Sequence, residues 1–296
     1  MNSIRYAIVT PVRNEETYLG KTIAALVAQT IRPTEWIIVN DGSKDRTGEI
    51  AAAAAAEHPW IHVLNRADRG FRKSGGGVME SFHDGYGALR AQDWDFLVKL
   101  DGDLTFAADY FEKCFAHFHA NPKLGIGGGL VCNEIAGQII LDSKDDPKFH
   151  VRGATKIYRR PCWDAIGGLI QATGWDTMDE LKANMLGWTT CTFPEIQLIH
   201  HRETGGADGR WRNWFKNGRA NYIVGYHPLF MLGKCLKRVF RRPYGIASLA
   251  LWCGFMTGYY SRVQGRVAER DVIRYLRSEQ LRALLGKKCL WKAYEP

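Results

Sequence analysis

The stretch that decides the fold is an apolar run ending in two carboxylates, Phe96-Leu97-Val98-Lys99-Leu100-Asp101-Gly102-Asp103. A nearly continuous apolar run of this kind is typical of a buried strand. Gly102 lets the backbone turn and leaves room for a bulky ligand. The two carboxylates repel each other unless a cation lies between them, and hard oxygen ligands favour Mg2+ or Mn2+ with positions open for phosphate oxygens. The stretch predicts a metal-diphosphate site at the mouth of an α/β sheet.

A second acidic pair, Asp93 and Asp95, precedes the same strand. Ligands of open α/β sheets bind beyond the carboxyl ends of the strands, so position favours Asp101 and Asp103. The alternative for either pair is an ordinary turn or helix cap, because aspartate commonly fills both.

Strand and helix patterns alternate along the first hundred residues. Residues 6–9, 36–39 and 61–64 are short apolar runs, and helical periodicity lies between them, with Asn14 expected to cap the first helix. The alternation predicts a doubly wound parallel sheet with right-handed crossovers. Asp41 follows the second strand and can accept a hydrogen bond from a base or ribose, although a helix-capping turn at residues 41–43 explains it equally well.

A basic, glycine-rich loop at residues 69–77 precedes a helix that begins near Val78. Exposed amides at a helix start, together with Arg72 and Lys73, suit a diphosphate. The spacing of a P-loop is absent, and a solvated flexible loop is the alternative.

The second half of the chain contributes a helix at 106–118, a glycine-rich strand at 125–130 and a further strand at 150–158. Three acids, Asp176, Asp179 and Glu180, then lie where another helix should start, with Thr177 as its expected cap. Acids there complement the helix dipole, and one of them could instead serve as a general base. His200 ends the strand 190–199; such a residue is usually structural, but a metal or phosphate role is open.

Composition is that of an ordinary globular protein, with 46% apolar and 24% charged residues. The seven cysteines form no C-x-x-C pair, and their odd number fits a reducing compartment better than a disulfide framework or a zinc site. The N-terminus lacks the pattern of a signal peptide, so we expect a cytoplasmic protein.

The net charge of +9 is unevenly spread. From Arg202 to the end there are 19 Lys+Arg and 6 Asp+Glu, a net of +13, whereas residues 1–201 hold 21 and 25, a net of −4. Such a tail faces something anionic. The uncharged segment 244–260 is short for a spanning helix, which needs about 20 apolar residues, so a buried or in-plane helix is expected. An apolar segment favours an anionic membrane over nucleic acid, and a solvated basic face is the alternative.

Together these segments resemble the family 2 glycosyltransferases, inverting enzymes with the GT-A fold. The resemblance covers residues 4–205 and is carried by four motifs in order, Thr10-Pro11-Val12-Arg13-Asn14-Glu15, Val39-Asn40-Asp41-Gly42-Ser43, Asp101-Gly102-Asp103 and Thr177-Met178-Asp179-Glu180. It implies a nucleotide-diphosphate sugar donor, most often UDP-linked, and Mg2+ or Mn2+. Asp179 would be the catalytic base, with Glu180 as its rival, because Met178 stands where the family often has Glu. By this resemblance Pro11, Glu15 and Asp41 would hold the nucleotide, and Asp101 and Asp103 would flank the metal and the diphosphate. We add Arg13, Arg72, Lys73 and Gly102 as expected donor-binding residues and His200 as an expected metal ligand beside Asp101 and Asp103.

We therefore expect an α/β GT-A domain, with a mixed, mainly parallel sheet, over residues 1–205 and a helical, basic, membrane-associating extension over residues 206–296. The expected activity is hexosyl or N-acetylhexosaminyl transfer to a lipid-linked or cell-surface polysaccharide acceptor at the inner face of the cell membrane. Single-sugar transfer is expected because the Gln-x-x-Arg-Trp pattern of processive members is absent. The alternatives are a non-catalytic sugar-nucleotide-binding or membrane-docking module and a nucleotidyltransferase.

Overall fold

The computed structural model describes residues 4–70, 76–135, 138–142, 146–202, 209–240, 244–261 and 265–292. Its strands are β1 Tyr6–Val12, β2 Glu35–Asp41, β3 Ile61–Arg66, β4 Phe96–Leu100, β5 Leu104–Phe106, β6 Leu124–Ile135, β7 Gln138–Leu141, β8 Thr155–Arg159 and β9 Thr189–His200. Its helices are α1 Leu19–Val27, α2 Thr47–Glu57, α3 Gly76–Gly87, α4 Tyr110–Ala120, α5 Arg160–Ile166, α6 Trp175–Met185, α7 Arg210–Val224, α8 Pro228–Val239, α9 Ile246–Tyr260 and α10 Arg270–Leu284.

One mixed sheet runs through the molecule in the spatial order β3-β2-β1-β4-β8-β6-β9-β5, with β7 paired to β6. Strands β3, β2, β1 and β4 are parallel neighbours, and β6 is parallel to β9. Strand β8 inserts antiparallel between β4 and β6. The predicted mixed α/β architecture is confirmed, and the carboxyl ends of β1, β2 and β4 meet at one edge.

Both faces of β1, β2 and β4 are buried, which explains why these strands are mainly apolar. On one face, Tyr6 and Phe96 pack against Phe115 of α4. On the other face, Val9 and Leu97 belong to a cluster that includes Phe82 of α3. Successive residues of a strand point to opposite faces, so both sets must be apolar.

The glycine-rich strand β6 allows the close approach that its sequence indicated. A Cβ on Gly127 would lie 2.6 Å from the ring of Phe193, and one on Gly129 would lie 2.5 Å from the carbonyl oxygen of Ile196. No side chain fits at either position without moving β9.

Several predicted boundaries were wrong. Asn14 does not cap α1, which begins at Leu19, and Asn14 itself has a positive φ of 54°. Helix α4 begins at Tyr110 because residues 104–106 pair with β9 as a short strand. Helix α6 begins at Trp175 after Gly174, so Thr177 lies inside the helix.

The C-terminal helices pack on each other and on α6. Gly218 of α7 and Gly254 of α9 meet at a tight crossing, where a Cβ on Gly254 would lie 2.0 Å from the carbonyl oxygen of Phe215. Leu276 of α10 shares a core cluster with Leu181 of α6. Among the helices of the described ranges, none is both long and apolar enough to cross a membrane.

Candidate active site

The turn after β4 is fixed from three sides. The amide of Asp101 donates to the carbonyl oxygen of Ala154 at 2.8 Å. The hydroxyl of Thr22 in α1 donates to the carbonyl oxygen of Gly102 at 2.9 Å and accepts from the amide of Leu104 at 3.0 Å. A Cβ on Gly102 would lie 2.5 Å from Cγ1 of Val12, so this position requires glycine. The turn therefore holds Asp101 and Asp103 at the edge of the sheet.

Asp103 is a buried carboxylate whose two oxygens differ in their contacts. Its Oδ2 lies 3.2 Å from Nε2 of His200, the last residue of β9, and 3.9 Å from Nε of Arg202. Burial alone would raise the pKa of Asp103, but the His200 contact holds it below its usual value and raises the pKa of His200 in turn. The other oxygen, Oδ1, is buried and has no hydrogen-bond partner among the described residues.

Glu15, in the loop after β1, brings a third carboxylate to this edge. Its Oε2 accepts from Nη2 of Arg202 at 2.6 Å. Burial and the nearby charges of Asp103 and Asp101 raise the pKa of Glu15 to about 7. Burial and Asp103 also raise the pKa of Asp101, against the opposing effect of Lys99. Negative charge from three carboxylates therefore accumulates at this edge, beside Lys99, His200 and Arg202.

This donor set suits a divalent cation that also binds phosphate. Within the described ranges, no group of three or more His, Cys, Asp or Glu side chains is arranged to hold a metal on its own. Mg2+ in nucleotide sites typically uses one or two carboxylates and takes its remaining ligands from water and phosphate oxygens. The unpartnered Oδ1 of Asp103 and the accumulated charge fit a cation held in that way.

Asp41 ends β2 and is held by arginines. Its Oδ1 accepts from Arg66 at 2.5 Å, its Oδ2 accepts from Arg69, and its backbone carbonyl accepts from Arg13 at 2.5 Å. Arg13 also binds Asp68 at 2.7 Å. Both carboxylate oxygens therefore already have cationic partners at the edge where the nucleotide was expected.

The remaining predicted donor residues divide into two groups. Pro11 pairs with Val39 near the carboxyl end of β1 and is half-buried, close to the same edge. Arg72 and Lys73 lie outside the described residues, so their predicted contact with a diphosphate remains a prediction.

Asp179 and Glu180 do not lie at the surface, contrary to their expected place in the first turn of α6. They occupy its second turn and are buried, with Nζ of Lys156 at 3.0 Å from Asp179 Oδ1 and 2.7 Å from Glu180 Oε1. Tyr158 donates to Asp179 at 2.6 Å, and His150 lies 2.9 Å from Glu180. Burial raises the pKa of Asp179 to about 6, although Lys156 opposes that shift.

Asp176 is the acid that α6 presents toward the edge. It lies in the first turn and is half-exposed. Its Oδ2 is 3.4 Å from the position that a Cβ of Gly153 would occupy. The carbonyl oxygen of Gly153 accepts from Nζ of Lys99 at 2.5 Å, and the same ammonium binds Asp101. Gly153 thus contacts both Asp176 and the Lys99–Asp101 pair.

No role was predicted for Arg66 or Lys156. Arg66 pairs in register with Asp41 across β2 and β3, so the signal was an arginine at a strand end beside an acidic one. Lys156 stands in a predicted apolar strand, where a buried lysine requires an acidic partner.

Comparison with known proteins decides the family. The sequence model of Glycosyl transferase family 2 matches residues 7–159, just over half of the chain. The chain belongs to glycosyltransferase family 2. That matched region contains Glu15, Asp41 and the turn at 101–103.

The curated relatives match this chain only in part. The uncharacterised glycosyltransferase EpsJ of Bacillus subtilis is 32% identical over 124 residues, which are 42% of this chain and 33% of EpsJ. The glycosyltransferase GlyA of Streptococcus pneumoniae is 41% identical over 159 residues, 52% of this chain and 20% of GlyA. The undecaprenyl-phosphate mannosyltransferase of Micrococcus luteus is 31% identical over 100 residues, 34% of this chain and 38% of that protein. The match thus spans well under half of each of these relatives.

Solved structures share the fold over almost the whole chain. The mannosyltransferase PcManGT of Pyrobaculum calidifontis, solved with GDP-Man and Mn2+, has a TM-score of 0.56 and 17% identity, covering 97% of this chain and 76% of its own. Residues 1–349 of TarS from S. aureus, solved with UDP-GlcNAc, have a TM-score of 0.54 and 12% identity, covering 95% and 81%. The fold is therefore GT-A.

Proposed function

We propose that this glycosyltransferase inverts the anomeric centre of a nucleotide-diphosphate sugar, UDP-linked in preference, as it transfers one sugar to a lipid-linked or cell-surface polysaccharide acceptor. The observation that carries the proposal is the convergence of Glu15, Asp101 and Asp103 at the carboxyl edge of β1 and β4, with one buried oxygen of Asp103 unpartnered. Relatives solved with GDP-Man or UDP-GlcNAc support a nucleotide-sugar donor.

A divalent cation, Mg2+ or Mn2+, fits this edge; Asp101, Asp103 and His200 would supply its protein ligands, and water and the donor's phosphate oxygens would have to complete its coordination. When bound, it would supply Lewis-acid stabilisation of the departing diphosphate. The Mn2+ solved with the related mannosyltransferase supports this assignment. Arg202 lies within 4 Å of Asp103 and adds positive charge on the same side. Asp41, Arg13 and Pro11 line the adjacent edge, where we place the nucleoside.

We assign the general base to Asp176 in place of Asp179 or Glu180. A base must reach the acceptor hydroxyl in a partly desolvated place, and Asp176 is half-exposed on the first turn of α6. Asp179 and Glu180 are bound by the Lys156 ammonium inside the protein. An acceptor hydroxyl could reach them only if Lys156 were displaced, which would leave buried charges without their partner.

The reaction then needs one displacement. Asp176 takes the proton of the acceptor hydroxyl as its oxygen bonds to the anomeric carbon from the face opposite the diphosphate. The bond from that carbon to the diphosphate oxygen breaks, and the electron pair leaves with the nucleoside diphosphate. Inversion follows, and no covalent sugar-enzyme intermediate is required.

We place this chemistry at the cytoplasmic, anionic face of a membrane, with catalysis in residues 1–205 and docking in residues 206–296. The net charge of +13 after residue 201 supports an anionic partner. The match to a relative named as an undecaprenyl-phosphate mannosyltransferase supports a lipid-linked acceptor.

The test is a screen of hexosyl and N-acetylhexosaminyl nucleotide donors, with and without Mn2+, using membrane lipid extract as acceptor. Release of nucleoside diphosphate that depends on both metal and acceptor is expected. Release of pyrophosphate would indicate nucleotidyl transfer, and donor binding with no turnover would indicate a non-catalytic module. Either result would overturn the proposal.

A further inference from the structure

Helix α8 exposes an apolar row along its full length. Leu229, Leu236 and Phe240 have exposed fractions of 58%, 58% and 83%, and Leu232 and Val239 are exposed beside them. Their spacing of three and four residues places all five on one side of the helix and the turn that follows it. The buried residues of α8, Met231 and Cys235, lie beside this row on the helix, and the row itself is not covered by the protein core.

Helix α9 continues that face. Leu249 and Tyr260 have exposed fractions of 56% and 81%, and residues 244–261 contain no charged side chain. The hydroxyl of Ser248 donates to the carbonyl oxygen of Cys235 at 2.6 Å, so the two helices touch one residue before Leu249 and Leu236. The apolar rows of α8 and α9 therefore lie side by side. Contiguous exposed apolar surface marks an interaction site.

The segment that carries this face has charge of one sign in its sequence. Residues 209–268 contain eleven Lys and Arg and no Asp or Glu. Lys234 and Lys237 are exposed on α8 itself, and Arg212 is exposed on α7. An apolar row flanked by cations matches a surface that is apolar inside and anionic outside.

We propose that the paired outer faces of α8 and α9 dock in the plane of an anionic lipid bilayer, with the apolar row inserted below the headgroups. This inference rests on the proposed function, since it would bring the transfer site to a lipid-linked acceptor. A second copy of the same face would bring the exposed cations Lys234 and Lys237 against their own counterparts, which opposes association. A nucleic acid would meet the charges but leave the aliphatic row in water.

The test measures flotation of the full chain with vesicles, at low and high salt. The probes are vesicles of phosphatidylcholine alone and of phosphatidylcholine mixed with phosphatidylglycerol. The double variant Leu236→Ser/Phe240→Ser removes two inserted side chains, and Ile139→Ser removes an equally exposed apolar residue from β7 as the matched control. We expect binding to the mixed vesicles only, a drop of about tenfold or more in the partition coefficient for the double variant, and no change for the control.

Unchanged partitioning in the double variant would overturn the proposal. So would a wild-type chain that ignores the vesicles but dimerises by light scattering, with the double variant monomeric, because a second copy would then cover the face. Circular dichroism melting confirms that the variants are folded. Acceptor-dependent release of nucleoside diphosphate separates the two proposals: a chain that floats with vesicles but releases none when metal, donor and lipid extract are supplied refutes the proposed function and leaves the docking face intact.

Discussion

Lys99 and Lys156 lie directly opposite each other on β4 and β8, and each ammonium serves a different acidic group. Lys99 binds Asp101 at the edge of the sheet, whereas Lys156 binds Asp179 and Glu180 inside it. The ring of Trp175 at the start of α6 lies against both ammonium groups, 5.4 and 5.6 Å from its centroid. The proposed metal edge and the helix that carries the proposed base are therefore joined through one pair of buried lysines.

The assignment of Asp176 as the base predicts that substitutions of Asp176 and Asp179 have different effects. Asp176→Asn should lower kcat by about 10²- to 10⁴-fold, with donor affinity and unfolding free energy unchanged, because it removes only a proton acceptor. Asp179→Asn should instead cost about 3 kcal/mol of stability, because Lys156 loses a buried partner. Steady-state kinetics and urea unfolding measure the two effects. Unchanged turnover in Asp176→Asn would show that another residue is the general base.

The metal assignment predicts a contrast between the two acidic pairs that flank β4. Asp103→Asn should reduce Mn2+-dependent release of nucleoside diphosphate by about 10²- to 10³-fold, because the departing charge loses stabilisation. Asp93→Asn is the matched control, since Asp93 binds exposed Arg5 at the opposite edge. The assignment fails if both variants respond alike.

His150 should make stability depend on pH. Burial alone favours the neutral ring, but Glu180 raises the pKa of His150 above its ordinary value of 6.5. The folded state then binds this proton more tightly than the unfolded state does. The stabilisation that protonated His150 contributes to the fold is therefore complete below pH 6.5 and is lost as the pH rises through the folded-state pKa. His150→Gln should cost about 1.5–3 kcal/mol in acid and less in base, as read from urea unfolding across pH. The exposed His119→Gln is the control; a pH-independent cost for His150→Gln contradicts the assigned contact.

The crossing of α7 and α9 should tolerate no side chain. Gly254→Val should cost about 3 kcal/mol, because its Cβ would meet the backbone oxygen of Phe215, which cannot turn away. Gly20→Ala, in a helix position with open space, should gain about 0.4–1 kcal/mol. Equal unfolding midpoints for the two variants would show that the helices do not cross as described.

The acidic edge could be predicted from the sequence because the residues of its strand and turn are adjacent in the chain. An apolar run followed by Asp101-Gly102-Asp103 needs no distant partner to be recognised as a strand and turn. The register of α6 was missed because Gly174, with a φ of 85°, begins the helix earlier than the Thr177 capping pattern indicated. The helix therefore begins three residues earlier than predicted, less than one turn, which places Asp176 in the first turn and the buried Asp179 in the second.

The buried ion pairs could not have been predicted in the same way. Lys156 faces Lys99 only because β8 inserts antiparallel beside β4, a pairing between residues far apart in the chain. Periodicity reports which face of a strand is apolar, and it carries no information about which distant strand becomes the neighbour.

The ion pair between Arg202 and Glu15 joins residues 187 positions apart. A chain emerging from the ribosome exposes the loop that contains Glu15 early. Its partner Arg202 is synthesised only after β9. During synthesis the acidic edge is therefore an incomplete and self-repelling surface, and the growing polypeptide should acquire affinity for its donor in a single late step. Nascent chains arrested before and after this arginine would separate the two conditions.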